Sequence, residues 1–114
     1  MRPGELYLAA FPFGDAPRMK LRPVLLLTGP VGTVPEILAA YVSSVIPATL
    51  LSSDLMLDPA LPEFRSTNLK TASVLRLHKL ATIHLSSILR YLGVLEPGTR
   101  AVVAAKLKDL LQLP

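Results

Sequence analysis

The chain has 114 residues, a mass of 12.3 kDa and a formal net charge of +4, from twelve Lys plus Arg against eight Asp plus Glu. That length supports one hydrophobic core, so residues 1–114 are expected to form a single domain. Hydrophobic residues at 51% against 18% charged exclude a disordered chain, and the absence of cysteine excludes a disulfide framework, a thiolate zinc site and a thiol nucleophile.

Nine of the eleven prolines lie before residue 63, so the front half cannot be built from long helices. No apolar signal region follows the basic start, because Gly14, Asp15 and Pro17 interrupt it. The longest uncharged stretch, Ile37 to Ser53, contains Pro47 and several hydroxyl residues. It reads as a strand followed by a loop rather than a membrane span. A soluble, cytoplasmic protein is expected.

In chain order, Glu5 to Phe11 is β-prone and bounded by Pro3-Gly4 and Pro12, a first strand. Phe13 to Leu21 is a basic loop carrying Arg18 and Lys20. Pro23 to Thr28 is a strand-length apolar run, and Arg22 before the proline is biased to extended backbone. Gly29-Pro30 and Gly32 mark a turn. Ile37 to Ile46 and Leu50 to Leu57 are further strand candidates, and Asp58 to Thr71 reads as a loop or an irregular segment.

Ser73 to Lys79 alternates. A regular strand there places Arg76 and His78 on one face and Leu75 and Leu77 on the other. A short helical turn is expected near Ile83 to Leu89, and a last strand over Arg90 to Leu95 with Gly93 at a bulge. Pro97 opens a helix in which Val102, Val103, Lys106, Leu107, Leu110 and Leu111 share helical spacing. Glu96 is a poor cap and Gly98 weakens the first turn, so that helix depends on packing. Five or six short strands with one C-terminal helix point to a small, mainly β (α+β) antiparallel barrel.

Several chemistries lack their residues. Gly29-Pro30-Val31-Gly32 has neither the spacing nor the lysine of a phosphate loop. His78 and His84 cannot form a metal site alone, and Asp54, Asp58 and Glu63 show no ligand spacing, so no metal or other cofactor is expected. What remains is cationic and hydroxyl chemistry. Arg18, Lys20 and Arg22 form one basic segment; Arg65, Lys70, Arg76 and Lys79 form another, in which Glu63 is the only acid. The two segments either share one electropositive groove or remain separate solvated surfaces.

These residues resemble a known family. Gly4-Glu5-Leu6-Tyr7-Leu8 is similar to the opening Gly-Glu-Ile-Trp/Tyr strand of the MazF/PemK toxins. Leu21-Arg22-Pro23-Val24-Leu25-Leu26 is similar to their Arg-Pro-Val-Leu-Val strand. Leu38-Ala39-Ala40-Tyr41-Val42-Ser43-Ser44 resembles their third strand, which ends in Thr-Ser or Ser-Ser. Val74 to Ile83 resembles their Val-Arg-x-Asp-x-x-x-Thr-Ile segment, and Leu92-Gly93-Val94-Leu95 and the helix follow in order.

The resemblance covers nearly the whole chain. It implies an SH3-like antiparallel β-barrel with a C-terminal helix, acting as a homodimer. It also implies the toxin of a type II toxin–antitoxin system, a metal-independent, sequence-specific endoribonuclease (an mRNA interferase) that cleaves single-stranded RNA. In that chemistry the 2′-OH attacks the neighbouring phosphorus, and many members leave a 2′,3′-cyclic phosphate. A cognate antitoxin is expected to lay an acidic tail over the basic groove.

By the same resemblance, Arg22 matches the family's catalytic arginine, and Ser43 its catalytic Thr/Ser, with Ser44 the alternative one residue on. Arg76 matches an arginine of the PemK branch, and His78 stands where that branch has an acid. An imidazole can serve as acid or base near neutral pH, so His78 either preserves that role or is a surface replacement. Arg18, Lys20, Ser44, Arg65, Lys70 and Lys79 are the candidate RNA contacts, with Tyr41 and Phe13 as candidate stacking rings. His84 has no matched role.

The first loop departs from the family's Gly-Ser-Glu-Gln-x-Gly type, having no late glycine and two extra cations. Two other readings of this fold remain. One is a non-catalytic, gyrase-poison-like toxin, disfavoured because no aromatic follows Tyr91. The other is an RNA-binding barrel without turnover.

Overall fold

A computed structural model describes residues 1–12 and 20–114. Six strands, β1 (Glu5–Phe11), β2 (Lys20–Leu26), β3 (Glu36–Ser43), β4 (Asp54–Leu57), β5 (Ser73–His84) and β6 (Ile88–Val94), precede one helix, α1 (Pro97–Leu110). The strands form one sheet in the order β4-β5-β3-β2-β1-β6, antiparallel throughout. The expected mainly β architecture with a C-terminal helix is therefore present, as a curled sheet that ends on β4 and β6.

The gap between those edges is bridged by a 3₁₀ turn, Pro62–Thr67, in a segment expected to be loop. Ser66 Oγ donates to the Val94 carbonyl at 2.6 Å, and Asn68 Nδ2 donates to the Leu92 carbonyl at 2.7 Å. The backbones meet closely enough that a Cβ on Gly93 would collide with the Ser66 and Thr67 carbonyls. Gly93 is thus a close-approach glycine. The register slips beside it, where Leu6 faces Gly93 but Tyr7 faces Tyr91, so the expected bulge falls at Leu92.

Both faces of the sheet carry apolar residues. Leu6, Leu25, Ala40, Val42, Leu75 and Leu77 pack with Leu95 and with Val103 of α1 on one face. Ala9, Phe11, Val24, Leu26, Ile37, Ala39, Tyr41 and Ile83 pack on the other. The helix begins at Pro97 as its sequence predicts, and Glu96 makes no side-chain cap. Val103, Leu107 and Leu110 face the sheet, Lys106 Nζ reaches the Ser52 carbonyl at 2.8 Å, and Val102 and Leu111 are exposed.

β5 departs most from expectation. It continues to His84 and pairs along all of β3, so the helical turn near Ile83 shrinks to Leu85–Ser87. Tyr41 faces Arg76 while the adjacent Ala40 faces Leu80, so Leu77, His78 and Lys79 form a bulge. Leu75 and Leu77 are buried and His78 is exposed, as alternation requires. β4 is only four residues long because a turn precedes it, closed by the Asp54 N–H on the Leu51 carbonyl and by the Leu51 N–H on Asp54 Oδ2.

Candidate functional site

Pro23 determines where the site opens. Its nitrogen carries no hydrogen, so it cannot donate to a ladder. Lys20–Pro23 pair with β1 only, and pairing of β2 with β3 begins at Val24, opposite Tyr41. Beyond that point the two strands fork: β2 runs back through Arg22 and Leu21, while β3 runs on to Ser43 beside β5. The fork opens a groove of about 410 Å³. Leu8, Pro23, Leu69 and Leu92 supply its apolar surface, and Arg22, Ser44, Asn68, Lys70, Thr71, Ser73 and Arg90 its polar surface.

Three sequence-derived candidates, Arg22, Ser44 and Lys70, therefore share one groove. Arg22 is half-buried, with Nη1 donating to the Leu21 carbonyl at 3.0 Å. Ser43 and Ser44 take different roles. Ser43 is buried, and its Oγ accepts from the Val45 N–H at 3.0 Å, a local turn bond. Ser44 is exposed and lines the groove.

Tyr41, Arg76, His78 and Lys79 do not line the groove. Arg76 is held by Asp54: Nε lies 3.1 Å from Oδ1 and Nη2 3.3 Å from Oδ2. The Asp54 side chain is 0% exposed and that of Arg76 18%. Burial pushes the Asp54 carboxyl up; the hydrogen bonds from Arg76 and the Leu51 amide, with the positive charges of Arg76 and His78, outweigh it and hold it below its ordinary value.

Tyr41 is only 8% exposed. Phe11 stacks on its ring at 5.5 Å and Lys79 Nζ lies 5.5 Å from its centroid, so its faces are covered rather than open to a base. Tyr91, edge-on to Tyr7 at 5.4 Å, is the half-exposed aromatic ring among the described residues.

Lys20 and Arg65 are exposed outside the groove, and Arg18 and Phe13 lie outside the described residues. His84 Nδ1 accepts from the Ser86 N–H at 3.0 Å, which caps the short turn after β5. Among the described residues no three His, Asp or Glu side chains gather as a metal site requires. No helix among them is long and apolar enough to cross a membrane.

Sequence reasoning missed Asp54 as a partner of Arg76 and missed Arg90, Asn68, Thr71 and Ser73. Asp54 carried a signal, being an unmatched acid one strand-length from a run of cations. Arg90 reaches the groove through the pairing of β6 with β1, Ser73 through its place at the start of β5, and Asn68 through the closure of the 62–67 segment on β6.

A family model for PemK-like, MazF-like toxins of type II toxin–antitoxin systems matches residues 2–111. The chain belongs to this family. Among solved structures, the PemK/MazF-like chain resembles the Mycobacterium tuberculosis toxin MazF-mt6, at 20% identity and a TM-score of 0.73, over 96% of this chain and 98% of that one. It also resembles an endoribonuclease from a mycobacterial species in complex with its cognate antitoxin, at 17% identity and a TM-score of 0.70, over 100% and 97% of the two chains. A third, a mycobacterial endoribonuclease, gives 16% identity and a TM-score of 0.72 over 100% and 93%. At such identities these structures establish the shared fold. No curated protein sequence matches the chain.

Proposed function

We propose that this PemK/MazF-like chain is a toxin that cleaves single-stranded RNA without a metal, at the groove where β2 and β3 fork. The observation that carries this reading is the meeting of Arg22 and Ser44 in one groove of a chain of the PemK/MazF-like family. The 2′-oxygen bonds to the adjacent phosphorus as its proton passes to solvent, the P–O5′ bond breaks and the 5′-oxygen leaves as a hydroxyl; on the way, negative charge builds on the non-bridging oxygens. A preorganised guanidinium is suited to that charge: it is always protonated and presents a planar fork to two oxygens. Arg22 takes this role. Ser44 contributes a hydroxyl that can donate to the phosphate or accept from the 2′-OH.

In this reading Ser43 shapes the backbone that presents Ser44. Arg76 acts mainly through Asp54, since two of its donors and its charge already have a buried partner. The protein works as a homodimer, for which exposed Val31, Val34 and Val45 offer apolar surface. A cognate antitoxin blocks the cationic groove with an acidic segment.

The test is incubation of the purified protein with long single-stranded RNA in EDTA. Discrete fragments are expected, and Arg22→Ala should lose them. No fragments, or fragments unchanged by Arg22→Ala, would sink the proposal. Salt-sensitive RNA binding without products would instead favour a binding barrel.

A further inference from the structure

The groove holds more cationic surface than one phosphate needs. We infer that Lys70 and Arg90 form a second phosphate clamp, so that the groove seats one nucleotide between two phosphates of single-stranded RNA. This deepens the proposed function and rests on it for the position of the first phosphate, at Arg22 and Ser44.

The geometry follows from the sheet. Leu8 of β1 pairs with Pro23 of β2 on one side and with Arg90 of β6 on the other. Residues paired across neighbouring strands project from the same face. Pro23, Leu8 and Arg90 therefore form one row across three strands; Arg22, next to Pro23 in the chain, alternates to the other face and meets the groove at its edge, where β2 leaves β3. Two strand spacings, about 10 Å, separate the two arginine-bearing strands. Between them the surface is apolar, with Leu8 and Pro23 flanked by Leu69 and Leu92.

Lys70 approaches from the opposite wall. It follows Asn68 and Leu69 directly, and Asn68 is tied to the Leu92 carbonyl of β6, the strand that bears Arg90. Lys70 and Arg90 are thus carried on two segments bonded to each other. Both side chains are exposed, and neither makes a hydrogen bond or ion pair with another described residue.

A cation at each end of an apolar strip matches the alternation of a nucleic-acid strand: phosphate, base, phosphate. Single-stranded RNA is held by such pairing of backbone cations with a surface for the base face. A volume of about 410 Å³ lies at the small end of ligand sites, suited to one such unit rather than to a length of peptide.

The test uses a fluorescein-labelled, randomised 12-nucleotide RNA carrying 2′-O-methyl groups, which cannot undergo 2′-OH attack. Binding is followed by anisotropy across a salt series. For single strands, each phosphate contact contributes about 0.7 to the slope of log K against log salt. The double variant Lys70→Gln/Arg90→Gln should lower that slope by about 1.4 and weaken binding about tenfold or more at low salt. Lys108→Gln, an exposed change on α1, should leave the slope unaltered. Matched thermal melts confirm that the exposed substitutions leave folding intact.

If the wild type binds and the double variant keeps its slope, the clamp is refuted, while loss of cleavage in Arg22→Ala would leave the proposed function standing. If the double variant loses the slope but unmodified RNA is never cut, the clamp stands and the cleavage reading falls. No binding by the wild type overturns both. A poly-glutamate peptide that binds through Lys70 and Arg90 when RNA does not would assign the site to an acidic protein partner and overturn the clamp.

Discussion

Replacing Asp54 by Ala isolates what the buried ion pair contributes. The substitution removes both oxygens that hold Arg76 and the acceptor of the Leu51 N–H, a 2.8 Å bond. Breaking a buried pair by deleting one partner costs about 3–5 kcal/mol, because the survivor is left charged and unmatched. Arg76 keeps 18% exposure and can recruit some water, so the lower end, about 3 kcal/mol, applies. With a urea m-value of about 1.5 kcal/mol/M, the unfolding midpoint should fall by about 2 M.

The same residue predicts a pH dependence. The Asp54 carboxyl titrates lower in the folded state than in the unfolded chain. Its contribution is therefore fully present above the ordinary carboxylate value, about 3.9, and is lost as pH falls through the folded value. The gap between wild type and Asp54→Asn should be widest near neutrality and close progressively below about pH 4. Urea melts followed by circular dichroism at several pH values measure both effects. A midpoint shift for Asp54→Ala below about 0.5 M, or a gap for Asp54→Asn that stays constant into strong acid, would refute the assignment.

Gly93→Ala forces a Cβ into the Ser66 and Thr67 carbonyls and should cost about 1–3 kcal/mol, seen as a Tm lowered by several degrees. Ser43→Ala and Ser44→Ala should separate: the first loses the Val45 bond and about 1 kcal/mol of stability, and the second melts within about 0.5 kcal/mol of wild type but cuts RNA more slowly. Arg22→Ala should reduce the cleavage rate by about 10²–10³. His78→Ala, outside the groove, should leave that rate within about threefold; a drop comparable to that of Arg22→Ala would move the proton-transfer chemistry to β5.

The parts of the fold that local chemistry dictates were legible in the sequence. Glu5–Phe11 lies between Pro and Gly breakers and folds as read, and Pro97 starts the helix because its missing N–H costs nothing there. The continuation of β5 beyond Lys79 is not legible, and Ile83 and His84 are read as a helical turn, because a single segment does not reveal its partner. Thr82 and Ile83 are β-branched residues, and β3 claims them for the sheet. The expected strand start at Leu50 failed because Asp54 binds the Leu51 backbone and closes a turn there.

At the candidate site, Arg22 was visible through Arg-Pro. Ser43 and Ser44 are told apart only by the turn bond that engages Ser43, a fact of three-dimensional structure. Arg90 and Asn68 were hidden for the same reason: 24 or more residues separate β6 from the chain that closes on it.

That closure has a consequence for the behaviour of the protein in a crowded solution. The outer edge of a terminal strand exposes a row of backbone groups to which another chain can add, the usual first step of strand-mediated aggregation. On β6 the carbonyls of Leu92 and Val94 already accept bonds from Asn68 and Ser66, and the close approach at Gly93 leaves no room for an incoming backbone. At the other end of the sheet, β4 is too short to template much pairing. The β6 edge is thereby kept from recruiting copies of the chain. Loss of the Ser66 and Asn68 side chains should be felt first as precipitation on concentration, before any change in the sheet itself.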